Sequence, residues 1–300
     1  MITVKAIIEW AKIKYVKLVK NPKYKNAKTP ISLNTSTLLA YVFPSNIKEF
    51  EIAKEIGLDC IEFILNYNDL EKNPLLKEGG IEEILKVCES SHVSVDTICA
   101  DYFMVAPLHS IKEAVATKSK EILINLLKKT SELGVTNIVI PCVDQSSLDN
   151  EEAVNRFANQ IRDVLPDAEH QGINLSLETD LAPQPFLDLL NKLDSNRITV
   201  NYDIGNSAAL GYNPIEELNA YENRISDIHI KDRVLGGGPV LLGSGSADFE
   251  SFFKKLKESK YEGPFIMQAY RDDEGVEVFK KQLNWIGPFL KILDDTEVPL

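Results

Sequence analysis

The chain has 300 residues, a length typical of a single α/β barrel and large for most other single domains. Apolar residues make up 44% and charged residues 26%, which excludes a disordered chain, a collagen and a disulfide-stapled miniprotein. The net charge of −12 argues against nucleic acid as a partner. Four scattered cysteines without a CxxC pair, together with no apolar run long enough to span a membrane and no secretory signal, predict a cytoplasmic protein with reduced thiols.

The first 30 residues differ in charge from the rest of the chain. They contain eight lysines and one glutamate, a net charge of +7 against −19 for the other 270 residues. Seven of their apolar residues fall on one helical stripe: Val4, Ile7, Ile8, Ala11, Tyr15, Leu18 and Val19. We predict an amphipathic helical extension and a linker in residues 1–30, with the helix docked on the acidic body. An anionic membrane or a partner protein is the alternative surface for such a helix.

From residue 31 onward, short apolar runs alternate with longer segments of helical period. Eight runs have the length and composition of buried parallel strands, at 31–34, 59–65, 93–99, 137–142, 173–178, 198–203, 226–231 and 264–270. Helical patterns lie at 46–56, 81–90, 110–133, 151–171, 184–194, from 214 onward, 248–259 and 276–291. The spacing suffices for eight βα units, so residues 31–295 are predicted to form a (β/α)8 TIM barrel of the α/β class. A doubly wound sheet is less suitable, because no GxGxxG motif follows the first strand.

Three chemically useful side chains stand at successive strand ends: Glu178, Asp203 and His229. Active sites of such barrels lie at the C-terminal ends of the strands, so we expect these side chains to converge. Two carboxylates and an imidazole suit one Mn²⁺, Mg²⁺ or Co²⁺ ion and can also hold Zn²⁺. Taken singly, each residue would more simply be a helix cap, a loop anchor or a core hydrogen-bonding group, so the metal site rests on their clustering.

Five segments carry a resemblance to a known family. They are Leu-Ser-Leu-Glu178, Asn-Tyr-Asp203-Ile-Gly-Asn206, Asp-Ile-His229-Ile-Lys231-Asp232, Leu-Gly-Ser-Gly-Ser-Ala-Asp248-Phe and Tyr-Glu-Gly-Pro-Phe-Ile-Met-Gln268. Over about residues 31–291 the chain resembles the xylose isomerase-like superfamily of sugar and sugar phosphate isomerases and epimerases. The resemblance implies one divalent metal ion held by the three residues above and by a fourth at position 268.

Two positions depart from the pattern of the family that the chain resembles. The family has a second glutamate where this chain has Gln268, and its ketose 3-epimerase and hydroxypyruvate isomerase groups often have histidine where this chain has Asn206. Gln268 could still give a metal its amide oxygen. It could not act as an acid or a base, because an amide does not titrate in the useful range.

The resemblance implies proton transfer beside a sugar carbonyl through an enediolate, whose charge a divalent ion stabilises. The family's epimerases use two glutamates on opposite faces of the sugar, whereas an aldose–ketose isomerase can work with one base. With Glu178 as that base and Lys231 assisting, the sequence slightly favours aldose–ketose isomerisation. A ketose 3-epimerase and a keto-polyol dehydratase stay open, as does a sugar-binding barrel without activity, because a fold does not fix a function.

Several residues are predicted to contact a small-molecule sugar or sugar phosphate: Glu62, Asn206, Arg233, Gly245 and Arg271. Gly245 lies in a glycine-rich segment that opens a helix, where backbone N–H groups could hold a phosphate or a sugar hydroxyl. An ordinary loop with a helix cap explains that segment equally well. For Glu62, a hydrogen-bonded position in the barrel mouth is the alternative. The sequence leaves a homo-oligomer open.

Overall fold

The computed structural model describes residues 31–34, 47–259, 261–268, 270 and 275–293, so the predicted extension at 1–30 and Arg271 lie outside the described residues. Eight strands alternate with eight principal helices along this part of the chain. Their bounds are β1 Ile31–Asn34, α1 Ile47–Ile56, β2 Cys60–Ile64, α2 Gly80–Ser91, β3 Ser94–Cys99, α3 Glu113–Thr130, β4 Asn137–Cys142, α4 Glu151–Gln171, β5 Asn174–Thr179, α5 Pro183–Leu193, β6 Ile198–Asp203, α6 Pro214–Tyr221, β7 Ile225–Ile230, α7 Phe249–Glu258, β8 Phe265–Met267 and α8 Val276–Ile292. Within the described ranges, no helix combines the length and the apolar composition that a bilayer crossing requires.

The eight strands form one closed parallel barrel. Each strand pairs with its neighbour in the chain, and β1 also pairs with β8, where Ile31 lies opposite Phe265. Each observed strand overlaps one of the eight predicted apolar runs, so the predicted (β/α)8 barrel is confirmed. The strand ends that bear Glu178, Asp203 and His229 therefore meet at one mouth, because all strands run in the same direction.

The buried apolar side chains form one large core and one small cluster. Ile64, Cys99 and Val139, on β2 to β4, form a small buried cluster separate from the main core. The main core lies outside, between the strands and the helices, and its largest fully buried side chains include Phe157 and Phe252. This division follows from the strand period of two, which sends alternate side chains to opposite faces.

A hydrogen-bonded layer of polar side chains lies directly beneath the mouth. Ser176 Oγ donates to Asp227 Oδ1 at 2.5 Å, and Asn201 Nδ2 donates to the other oxygen of the same carboxylate. These residues stand two positions before Glu178, His229 and Asp203 on β5, β7 and β6, so the strand period directs both sets into the barrel. The polar layer thus supports the side chains at the mouth from below.

Side-chain caps fix the starts of several helices. Asn150 accepts a hydrogen bond from the N–H of Ala153 at 2.9 Å, and Asp248 accepts one from the N–H of Ser251 at 3.0 Å. Asn213 caps α6, whose first residue is Pro214, as the Asn-Pro pair in the sequence predicts. These caps satisfy backbone donors at helix starts, which in a barrel lie on the side of the mouth.

Two short elements near the mouth were not predicted from the sequence. A helix at Ile204–Leu210 follows β6 directly, and Asp203 caps it by accepting the N–H of Asn206 at 2.7 Å. A two-stranded hairpin pairs Asp232–Arg233 with Pro239–Val240. Both are too short to show a period in the sequence, and both carry residues of the candidate site.

Candidate active site

Three side chains converge at the mouth of the barrel. Glu178, Asp203 and His229 each offer one ligand atom, and these three atoms lie within 4.8 Å of one another. All three side chains are buried, and His229 is 0% exposed. Two carboxylate oxygens and one imidazole nitrogen at such mutual distances fit the ligand preferences of Mg²⁺, Mn²⁺, Co²⁺ or Zn²⁺.

Glu62 sets the orientation of His229. The Nε2 atom of His229 lies 3.3 Å from Glu62 Oε1, and the hydroxyl of Thr97 donates to Glu62 Oε2 at 2.9 Å. The other ring nitrogen, Nδ1, lies 3.9 Å from Asp203 Oδ2 and therefore faces the mouth. A carboxylate behind a histidine commonly fixes the tautomer and direction of a metal ligand. Glu62 is thus hydrogen-bonded within the barrel mouth, which is one of the two roles that the sequence allows for it. Its contact with a substrate stays a prediction.

Burial and neighbouring charges shift the acidity of two of the converging residues. Burial, assisted by the charge of Asp203, raises the pKa of Glu178 to about 7. Burial alone would lower the pKa of His229, but the carboxylates around it, first of all that of Glu62, raise it to about 9. The metal-free site therefore binds protons near neutral pH, and a divalent ion would have to displace them.

Gln268 and Lys231 complete the ring around the mouth. Lys231 Nζ lies 3.2 Å from Asp203 Oδ2 and donates to Gln268 Oε1, also at 3.2 Å. Gln268 Nε2 lies 2.7 Å from His229 Nδ1. A half-turn of the Gln268 amide would present its oxygen on the His229 side, so the residue fits the role of a neutral fourth ligand. The structure places these two predicted residues beside the three converging side chains.

Asn206 and Arg233 contact the site from the short helix and the hairpin. The amide of Asn206 donates to Glu178 Oε1 at 2.6 Å, and Arg233 Nη1 donates to Asn206 Oδ1 at 2.8 Å. Arg233 is itself held, because its Nε donates to the carbonyl of Gly237 at 2.9 Å. Asn206 and Arg233, the two predicted substrate residues, thus form a row of hydrogen bonds that holds one oxygen of Glu178. The other Glu178 oxygen is available to a metal ion or a substrate.

The glycine-rich segment after the hairpin is built around a carboxylate of the chain itself. Asp232, which is 0% exposed, accepts the N–H groups of Gly243 at 2.9 Å, Gly245 at 2.8 Å and Ala247 at 3.2 Å. A Cβ at position 245 would lie 2.2 Å from Asp232 Oδ1. These N–H groups are therefore already bonded, which weakens the expectation that Gly245 contacts a phosphate. Sequence reasoning missed this role of Asp232, although its place between Lys231 and Arg233 was a signal.

We expect Asp232→Ala to destabilise the protein strongly, because it leaves three backbone N–H groups without their acceptor. Hydrogen bonds to a charged group contribute about 1.5–3 kcal/mol each, so the free energy of unfolding should fall by about 3 kcal/mol or more. Urea unfolding measures the change. Asp248→Ala is the matched control, since loss of an ordinary helix cap costs only about 1 kcal/mol. Equal losses in the two variants would contradict the structural role assigned to Asp232.

The sequence was compared with protein families and with known proteins. Residues 50–289 match the family described as xylose isomerase-like TIM barrel. The L-ribulose-5-phosphate 3-epimerase UlaE of Salmonella heidelberg (strain SL476) is 26% identical over 237 residues, covering 75% of this chain and 82% of the relative.

Solved structures show the same fold. That of an L-ribulose 3-epimerase has a TM-score of 0.71 at 18% identity, and covers 90% of this chain and 100% of its own. A xylose isomerase-like TIM barrel protein from Mycobacterium smegmatis, in complex with magnesium, has a TM-score of 0.63 at 19% identity, and covers 82% of this chain and 89% of its own. The barrel, its site and the family match, which spans most of the sequence, lead to one conclusion: the chain belongs to the xylose isomerase-like TIM barrel family.

Proposed function

We propose that the protein moves a proton on the carbon next to the carbonyl of a ketose or ketose phosphate, and that it inverts carbon 3. The observation that carries the proposal is the convergence of Glu178, Asp203 and His229 beside a lysine at the barrel mouth. The sugar 3-epimerases among the relatives support epimerisation over the aldose–ketose isomerisation that the sequence alone slightly favours.

Each residue has a chemical role in this proposal. Glu178, Asp203, His229 and Gln268 would hold a divalent ion, which would supply Lewis-acid stabilisation of negative charge on the oxygens of the substrate. Glu178 removes the proton from carbon, because it is a carboxylate at the barrel mouth and only one of its oxygens is held by Asn206. Asn206 holds one Glu178 oxygen, so the other is free to meet the substrate.

Lys231 is the residue that makes inversion feasible without a second carboxylate. Its ammonium lies against Gln268, the position where the family has its second glutamate, and on a different strand end from Glu178. A proton given from that side reaches the opposite face of a sugar held between the two residues. Lys231 thus acts as the acid at carbon in our proposal, whereas the sequence alone gives it an assisting role beside Glu178.

Aldose–ketose isomerisation is the second candidate, and Gln268 favours it. A reaction confined to one face of the sugar needs only Glu178, and an amide at position 268 removes the carboxylate that two-base epimerases use. In that reaction Lys231 would assist at oxygen instead of carbon.

NMR spectroscopy in D₂O distinguishes these reactions. The protein is incubated with a panel of ketoses, aldoses and their phosphates, with and without Mn²⁺ or Mg²⁺. Deuterium at C3 with inverted configuration supports epimerisation, whereas interconversion of an aldose and a ketose supports isomerisation. Binding of a sugar without any exchange would support the alternative of a sugar-binding barrel and refute both reactions.

Changing Gln268 should alter metal affinity in both directions. We expect Gln268→Glu to tighten Mn²⁺ binding and Gln268→Ala to weaken it, each by about ten-fold or more, because one adds a carboxylate ligand and the other removes an amide oxygen. Calorimetric titration with Mn²⁺ measures both. Gln171→Glu, at the last residue of α4 and away from the mouth, makes the same chemical change and should have no effect. Equal Mn²⁺ affinities in the wild type and both Gln268 variants would exclude this residue as a ligand.

A further inference from the structure

The short helix Ile204–Leu210 contacts residues on every side of the candidate site. Its first backbone donors are capped by Asp203, and its Asn206 holds Glu178. Its Gly205 packs on Lys231 so closely that a Cβ there would lie 2.8 Å from Lys231 Cγ. The position of this one-to-two-turn element therefore fixes the relative positions of a base, a metal ligand and the lysine.

The outer side of the short helix is attached to a buried carboxylate on α6. The hydroxyl of Ser207 donates to Glu217 Oε2, and the hydroxyl of Tyr202 donates to the same oxygen at 2.7 Å. Tyr221 also donates a hydrogen bond to this carboxylate. Glu217 is only 4% exposed, and its three hydroxyl partners are not among the proposed metal ligands.

We infer that Glu217 is a positioning residue, which acts through Ser207 to hold the short helix, and thereby Asn206, Glu178 and Asp203, in the geometry that the site requires. The part of this inference that concerns rate rests on the proposed function. The part that concerns metal binding and geometry does not depend on any sugar substrate.

The chemistry of the cluster supports a positioning role over simple packing. Burying a carboxylate costs free energy unless hydrogen bonds compensate, and burial raises the pKa of Glu217 above its usual value. Three hydroxyl donors from β6, α6 and the short helix meet this one group, so it joins three elements with directional bonds. An apolar residue could fill the same space but could not fix the rotation of the short helix about its axis.

Residues that support metal ligands from behind typically change metal affinity or activity by about 10–100-fold when mutated. We therefore expect Glu217→Ala to weaken Mn²⁺ binding and to lower kcat for solvent exchange by a factor in that range. The KM for the sugar should change less than kcat, because Glu217 is only 4% exposed and bonds to hydroxyl groups of the chain itself. Glu217→Gln should restore part of both losses, since its amide oxygen can still accept from Ser207 and Tyr202.

Leu126→Ala is the control for general destabilisation. Leu126 is 0% exposed on α3, far along the chain from the site, and its truncation leaves a cavity in the main core. Thermal unfolding compares the stability of the two variants, and both are assayed at temperatures where they remain folded. Leu126→Ala should lower the unfolding temperature as much as Glu217→Ala but keep the wild-type Mn²⁺ affinity and kcat. The losses of Mn²⁺ affinity and kcat in Glu217→Ala would then come from the altered position of the short helix and not from lower stability.

Two further measurements keep the inference testable. If Glu217→Ala does not fold, Ser207→Ala removes the same hydrogen bond by deleting its donor. This variant should show a smaller loss of Mn²⁺ affinity and kcat. Crystal structures give a readout without metal or sugar: the distance between Asn206 Nδ2 and Glu178 Oε1 should exceed hydrogen-bonding range in Glu217→Ala. Wild-type Mn²⁺ affinity and an unchanged distance in the variants would overturn the inference. If the wild-type protein exchanges no sugar C–H with D₂O, the proposed function is refuted. The Mn²⁺ titrations and the crystal structures would still test the positioning role of Glu217.

Discussion

Replacing Glu178 by glutamine should reduce exchange of a sugar C–H with D₂O by about 10²–10⁴-fold, the usual contribution of a general base. The substitution keeps the size of the side chain, and its amide oxygen can still accept the N–H of Asn206. It removes the group that takes the proton, and Mn²⁺ affinity should also fall because a charged ligand becomes neutral. NMR exchange rates at saturating Mn²⁺ separate the chemical effect from the effect on metal binding.

Glu152→Gln is the matched control for that experiment, because it makes the same change at an exposed position of α4. It should retain the wild-type exchange rate. If Glu178→Gln exchanges within about ten-fold of the wild type, another residue is the base. Glu62 and Lys231 would then be the first positions to replace.

The barrel and the convergence of three polar side chains at its mouth could be predicted from the sequence for one physical reason. In a parallel barrel every strand end points to the same mouth, so a carboxylate or an imidazole that ends an apolar run is placed by the fold class alone. Glu178 and Asp203 each end such a run, and His229 stands two residues before the end of the third. The observed strand bounds differ from the predicted ones by only one residue at β5 and β7.

The roles of the surrounding residues could not be predicted in the same way, because they depend on contacts between distant elements. Glu62 meets His229 across the barrel, 167 positions away in the chain, and the register of β2 against β3 shifts at Ile61 and Glu62. Asp232 acts on backbone groups eleven to fifteen residues later, and Glu217 acts through a helix too short to show a period. Spacing in a sequence does not encode such contacts.

These contacts change what the departures from the family pattern mean. Asn206, where the family often has histidine, has a role of its own here, because its amide donates to Glu178 and its carbonyl oxygen accepts a hydrogen bond from Arg233. Gln268 likewise bridges Lys231 and His229. A glutamate at this position could form the same bridge, but it would add a negative charge to the site. The chain thus has a less negative site with a lysine beside it, and we expect this charge balance to govern how it binds metal.

Metal affinity should rise steeply with pH, by about ten-fold for each pH unit over the range in which one proton must be displaced. A divalent ion requires neutral His229 and ionised Glu178, whereas the pKa values of about 9 and about 7 leave both groups protonated in acid. We therefore expect the steepest rise below pH 7, a ten-fold rise per unit between about pH 7 and 9, and little change above pH 9. Mn²⁺ titrations at a series of pH values give this profile.

Glu62→Gln tests the cause that we assign to the upper part of the profile. The Glu62 carboxylate is the largest influence raising the pKa of His229, and an amide at this position can still bond Thr97 and the imidazole. In this variant the Mn²⁺ affinity should level off at a lower pH, because His229 loses its proton at a lower pH.

His229→Ala should abolish Mn²⁺ retention, since it removes the nitrogen ligand itself. Unchanged metal content in His229→Ala by elemental analysis would refute the metal site, whereas a profile in Glu62→Gln that still rises to pH 9 would refute only the role of Glu62.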